Sequence, residues 1–229
     1  MDQATDACIL ISAGAEWRGL LEHFPDADPE PTPYGECFSA SIVGHGLQFL
    51  HGGWGKVAAA ASTQYAISRW DPKRIINLGT CGGFKGRVQR GEVILAHQTI
   101  IYDIIEQMTD ANQAIQAYSV EHDLSWLPDP TPQTVKIGTL LSADRDILAE
   151  DIPELINQYN ADVADWESGA IAWVARKNHL PCLILRGVSD LVGEESGEAY
   201  GDYAFFEAQS RKIMADLVQH LPAWLNAFL

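Results

Sequence analysis

Short apolar runs rich in β-branched residues alternate with helical patterns along the whole chain. Ala7–Ile11, Arg74–Leu78, Glu92–Ala96, Val135–Leu141 and Cys182–Arg186 are strand length, and most offer no polar face to water. Runs of that kind belong to a sheet covered by other elements, which restricts the chain to α/β architectures with a largely buried sheet. Cys37–Val43 and Gln48–His51 add an early hairpin. Helices are predicted at Glu16–His23, at the Ala-rich, glycine-free Lys56–Arg69, and at Glu167–Lys177 and Tyr203–Leu217.

The 229 residues contain no repeat or low-complexity segment, and the Pro/Asp-rich stretch Pro25–Pro33 is too short to separate two domains, so one domain spanning 1–229 is expected. The 103–132 segment has weak periodicity and many polar residues, which marks it as a long excursion, a lid or a partner contact. Thirty-one acidic against fifteen basic side chains give a formal charge of −16 and no basic stripe, which argues against nucleic-acid binding. No apolar run approaches the roughly 20 residues of a spanning helix. Met1–Asp6 lacks the basic region of a signal peptide, so a cytoplasmic protein is expected. Cys8, Cys37, Cys81 and Cys182 are too scattered for a zinc site and are read as free thiols.

Three segments carry candidate chemistry. Gly79-Thr-Cys-Gly-Gly83 follows a strand, so a sharp turn is expected there; it is either a plain tight turn or a ligand-binding one at the carboxyl end of the sheet. Asp165-Trp-Glu167 sits at a strand-to-helix junction. Asp165 is either an N-cap, or the two carboxylates and the ring form a sugar site, since a carboxylate can accept from two vicinal hydroxyls. Arg186 and Asp190 are placed at the carboxyl edge of the last strand, as an ion pair holding a loop or as functional groups whose burial is rarely accidental. His51-Gly-Gly-Trp-Gly-Lys56 lacks the spacing of a phosphate-binding P-loop.

Taken in order, Glu16, Gly52–Val57, Asn77–Gly83, Gly91–Ile94, Ser142-Ala-Asp144, Asp165–Glu167 and Arg186–Asp190 resemble the nucleoside phosphorylase/nucleosidase superfamily. Within it they are most similar to the methylthioadenosine/S-adenosylhomocysteine nucleosidases and futalosine hydrolases. The resemblance implies a single domain with a central mixed twisted sheet flanked by helices. It also implies cleavage of the N-glycosidic bond of a purine nucleoside, one modified at the 5′ carbon, with no metal or organic cofactor. Asp190, of the Ser189-Asp190 pair, would donate to the purine N7. Glu16 would orient water, Glu167 would bind ribose hydroxyls and Arg186 would stand near ribose and nucleophile. Thr80, with Cys81 and Gly82, would line the sugar site, and Asp165, Trp166, Asp144 and Tyr200 would lie beside substrate.

Breaking such a bond leaves positive charge on the sugar and negative charge on the base, so an acid at one end and anions at the other suit the chemistry. Asn77, where hexameric phosphorylases carry a phosphate-gripping Arg, favours water as nucleophile. Arg18 keeps a phosphorylase open, and a non-catalytic nucleoside-binding protein is the third possibility. The chain departs from the pattern at Asp146, where adenosine-type nucleosidases place a base-stacking Phe, and at Trp166, where they have Met. A homo-oligomer, dimer or hexamer, is also implied, with the 103–132 excursion as its contact.

Overall fold

The computed structural model describes residues 5–193 and 196–229; the first four residues of the Met1–Asp6 reading lie outside them. In chain order the elements are β1 (Ala7–Ile11), α1 (Gly14–Leu21), β2 (Glu30–Pro31), β3 (Glu36–Ile42), β4 (His45–His51), α2 (Gly55–Trp70), β5 (Arg74–Phe84) and β6 (Val93–Ile101). They continue with α3 (Ala111–Ala117), β7 (Val120–Glu121), β8 (Lys136–Ser142), α4 (Ile152–Tyr159), β9 (Val163–Asp165), α5 (Ser168–Lys177), β10 (Cys182–Val192) and α6 (Tyr203–Phe228). All strands belong to one mixed sheet, ordered β10-β6-β8-β9-β5-β1-β4-β3-β2, with β7 on β6. β10 also pairs with β5, so β5, β10, β6, β8 and β9 close into a ring from which β1, β4, β3 and β2 extend.

Helices cover both faces, as the apolar strands require. On one side α1 and α6 bury Trp17, Leu20, Met214, Leu217 and Trp224 against Ile9, Phe49, Ile76 and Leu185. On the other, α2 and α5 bring Ala59, Ala66, Ala170 and Ile171 down on Cys8, Leu10 and Ile75. The small residues of α2 and α5 let the helix backbones approach the sheet closely.

Three expectations are corrected. The chain does not turn sharply at Gly79–Gly83: β5 runs through to Phe84, and none of Gly79, Gly82 and Gly83 has a positive φ. Its glycines serve close packing. A Cβ on Gly79 would fall on Arg186 Nη1 and 2.7 Å from Glu16 Oε1. β10 likewise continues past Arg186 to Val192, so Arg186 and Asp190 lie within the strand and not beyond its end. The last helix extends from Leu217 to Phe228, through Pro222, because Leu221, Trp224, Leu225 and Phe228 are buried in the core. That burial outweighs the roughly 3 kcal/mol an internal proline costs.

The 103–132 excursion contains α3 and β7 and divides in two. Leu124, Trp126 and Leu127 pack on the core beneath α6, with the Trp126 ring 4.7 Å from that of Phe228. That half is core cover and not a lid. Ile105 and Met108, in the other half, are exposed.

Candidate active site

A cavity of about 560 Å³ opens at the carboxyl ends of β5, β9 and β10, and Glu16, Thr80, Trp166, Glu167, Asp190 and Tyr200 all border it. Its volume lies within the range of small-molecule sites.

Glu16 is the third residue of α1, and its Oε2 accepts the Ala13 N–H at 3.0 Å, the reciprocal contact of a helix start. Oε1 accepts both the Thr80 N–H at 2.6 Å and the Thr80 hydroxyl at 2.7 Å. A carboxylate has about four acceptor sites, so Glu16 retains capacity for a ligand or water.

Glu167 is placed by the turn between β9 and α5. Its Oε1 accepts the Gly55 N–H at 3.1 Å. Gly55 has φ +79°, a left-handed conformation that aims this N–H at the carboxylate, and a Cβ there would lie 2.9 Å from Asp144 Oδ1. Burial pushes the Glu167 carboxyl well above the ordinary range, and Asp165 pushes the same way against the opposing Arg186 charge.

Arg186 is fully buried and does not border the cavity, which corrects its expected place beside substrate. Its guanidinium lies behind the wall, 3.1 Å from Asp165, 3.5 Å from Glu16 and 3.8 Å from Glu167. Burial works against its charge, but Asp165, Glu16 and Glu167 more than offset this and keep it protonated. Asn77 Oδ1 accepts from Nη2 at 2.8 Å, so Asn77 also faces the guanidinium and not the cavity.

Asp165 borders the cavity, but its carboxylate is already engaged. It accepts the Ser142 hydroxyl at 2.6 Å, the Glu167 and Ser168 N–H groups at 3.2 Å, and the Ser168 hydroxyl. It anchors the start of α5 from two residues before the N-cap, which is Glu167 and not Asp165 as the capping reading had it. Asp144 does not reach the cavity. It accepts the Lys56 N–H at 2.8 Å at the first turn of α2, and Lys56 Nζ pairs with it at 3.6 Å and with Asp103. The free N–H groups of a helix start and a lysine draw it away.

Asp190 enters the cavity through a β-bulge. β10 pairs Val188 with Cys81 and Asp190 with Gly82, which leaves Ser189 as the extra residue and re-aims Asp190. The Ser189 hydroxyl lies 2.7 Å from Asp190 Oδ1 and 3.2 Å from the Cys81 carbonyl, tethering the carboxyl group at the cavity wall. Burial raises the Asp190 pKa, and the charges of Glu198 and Asp146 add to the effect of burial. Cys81 and Gly82 form the floor between the two ends. The Cys81 thiol is buried, contacts the Gly187 carbonyl at 3.6 Å and is held neutral by desolvation, so it is no nucleophile.

Tyr200 lines the Asp190 end and donates its hydroxyl to the Ile147 carbonyl at 2.8 Å. Trp166 faces Trp54 with ring centroids 6.3 Å apart. Asp146, at the position where a base-stacking Phe was expected, also lines the wall, as do Trp54, Tyr203 and Phe206, which the sequence reading did not single out as lining it. Tyr203 and Phe206 stand three apart in the first turn of α6, a spacing that marks one helix face. Arg18 turns outward to Glu207 at 2.5 Å and the Tyr203 hydroxyl at 2.9 Å.

Fold and site place the protein in the nucleoside phosphorylase-like α/β class. The chain belongs to the Phosphorylase superfamily, whose family model matches residues 7–222. It is 27% identical over 220 residues to a 5′-methylthioadenosine/S-adenosylhomocysteine nucleosidase of Marinomonas sp. (strain MWYL1), covering 90% of this chain and 94% of that one. A nucleosidase of the same name from Tolumonas auensis is 25% identical over 197 residues, covering 78% and 83% of the two chains. Among solved structures, the Helicobacter pylori 5′-methylthioadenosine/S-adenosylhomocysteine nucleosidase with butyl-thio-DADMe-Immucillin-A superposes with a TM-score of 0.80 at 18% identity, covering 97% of this chain and all of that one. The futalosine hydrolase of the same organism gives 0.79 at 18% identity, covering 96% and 98%. No helix among the described residues is long and apolar enough to cross a membrane.

Proposed function

We propose that the protein is an N-ribosyl hydrolase that cleaves the glycosidic bond of a purine nucleoside, one modified at the 5′ carbon. The observation that carries this reading is the shared cavity of Glu16, Glu167 and Asp190, in which Arg186 gathers Glu16 and Glu167 while Asp190 is held separately by Ser189. The names of the relatives, nucleosidases acting on 5′-methylthioadenosine and S-adenosylhomocysteine, support it.

Asp190, whose protonated form burial favours, donates to the leaving base as its bond to the sugar breaks. The Glu167 carboxyl hydrogen-bonds the ribose hydroxyls, and the electron-deficient sugar that develops is stabilised by the Glu16 carboxylate. Glu16 accepts a proton from a water that adds to the anomeric carbon. Arg186 acts from behind the wall as a positioning residue that holds Glu16, Asp165 and Glu167 in one cluster. Trp54, Trp166, Tyr203 and Phe206 offer an apolar mouth to the 5′ substituent.

Water is favoured over phosphate by the charge of the site. Among the described residues the cavity-lining cation is Arg145, and it pairs with Asp151, while Arg18 pairs with Glu207. A dianion entering beside the Glu16 carboxylate would meet repulsion without a free cation to offset it. A homo-oligomer in the cytoplasm is part of the same reading, supported by exposed Trp54 and Val57 at the start of α2 and Ile105 and Met108 in the segment that Lys56 ties to it.

The test is ultraviolet detection of base release from 5′-methylthioadenosine, S-adenosylhomocysteine, adenosine, inosine and futalosine. Release from at least one of them, abolished by Asp190→Asn and by Glu167→Gln, is expected; a panel left intact by the wild-type protein would reject the activity.

A further inference from the structure

Asp146 follows β8 on the loop that closes the Asp190 end of the cavity, and its exposed side chain borders that cavity. Its neighbour Arg145 does not neutralise it. The Arg145 guanidinium turns to Asp151 and lies over the Tyr102 ring, 5.7 Å from its centroid. Among the described residues Asp146 makes no side-chain hydrogen bond and no ion pair. The other polar groups nearby are committed: the Ile147 carbonyl accepts from Tyr200, and the Ser189 hydroxyl is bound to Asp190 and the Cys81 carbonyl. A ligand entering this end therefore meets a free anionic acceptor, Asp146, beside the carboxyl group of Asp190.

A carboxylate that loses water to a ligand without gaining a donor is costly, whereas a hydrogen bond to a charged acceptor is worth more than a neutral one. We propose that Asp146 is a specificity-determining residue for the base, accepting from an exocyclic amine or ring N–H, so that purines bearing such a donor are selected over purines that lack one. This rests on the hydrolase reading above and extends it from the bond cleaved to the base released. It also gives the carboxylate that stands in place of a stacking aromatic a role of its own.

The experiment compares kcat/KM, at a pH below the alkaline limb where the charge of Asp146 no longer affects the protonation of Asp190, for three ribosides with the same sugar, adenosine, inosine and unsubstituted purine riboside, in the wild-type enzyme, Asp146→Asn and Asp146→Ala. Intrinsic differences in leaving-group reactivity cancel when each variant is compared with wild type. Loss of a hydrogen bond to a charged acceptor corresponds to roughly 10- to 100-fold. Asp146→Ala is therefore expected to lose about that factor on adenosine or inosine while changing little on purine riboside, with Asp146→Asn between, and melting temperature unchanged because the side chain is exposed. A uniform effect on all three substrates, or none, would overturn the proposal while leaving the hydrolase reading intact. If wild type releases base from none of these nor from the 5′-modified panel, both fall.

Discussion

At the level of single residues, the site depends on buried charge being in the right protonation state. Asp190 must carry its proton to act as an acid. Burial raises its pKa, and among the groups facing it Glu198 and Asp146 raise it further while the Ser189 hydroxyl and the backbone at residue 199 work in the other direction. Activity is thus full below the raised value and falls as pH climbs through it. Replacing Asp146 with Asn removes one of the raising charges, so the alkaline limb of the kcat/KM profile should move to lower pH, whereas an unmoved limb would mean that Asp146 and Asp190 do not interact. Asp190→Asn should lower kcat about 100- to 10 000-fold, the range of general acid catalysis, with the fold unchanged.

Arg186 presents a different case. Its loss in Arg186→Met would strand Asp165, Glu16 and Glu167 without their shared cation, costing about 3–5 kcal/mol, read as a lowered urea midpoint. Arg186→Lys should rescue little, since one ammonium cannot span Asn77, Ser168 and three carboxylates. From the sequence Asp190, Glu167 and Glu16 came together only through the family resemblance, and the structure brings all three to one cavity. The burial of Arg186 behind the wall was not legible, because its partners come from β5, β9, α1 and α5 and no local pattern records them.

Among the elements, the ends of strands and helices decide where the side chains point. The strand centres and the four long helices follow from apolar periodicity, but the lengths of β5 and β10 do not. Gly79–Gly83 reads locally as a turn, and only the closeness of Glu16, Arg186 and Ile147 explains why small residues are needed in a continuing strand. The bulge at Ser189 is equally silent in sequence, since it arises from pairing against β5. The eight-residue α4 was also missed, and the three-residue β9 is too brief for a periodic signal. At the start of α2, Gly55→Ala forces a left-handed φ on a residue with a Cβ and crowds Asp144, a cost on the order of 1–3 kcal/mol. Because the Gly55 N–H holds Glu167, the variant should also raise KM; a lowered melting temperature with KM unchanged would show that this contact does not position the sugar-binding carboxylate.

The whole molecule brings one acidic cavity to the carboxyl ends of a closed ring of strands, in a protein whose formal charge is −16. Local and global electrostatics both oppose an anionic nucleophile. The single-domain α/β class was legible because strands and helices alternate to the last residue, but the ring closure through β10 was not, since pairing between distant strands leaves no periodic trace. The choice between water and phosphate is tested most directly by following 5′-methylthioadenosine turnover by phosphorus NMR with and without phosphate. Attack by water held at Glu16 requires equal rates of adenine release in both samples and no sugar 1-phosphate signal. Release that depends on phosphate and yields a sugar 1-phosphate would contradict it.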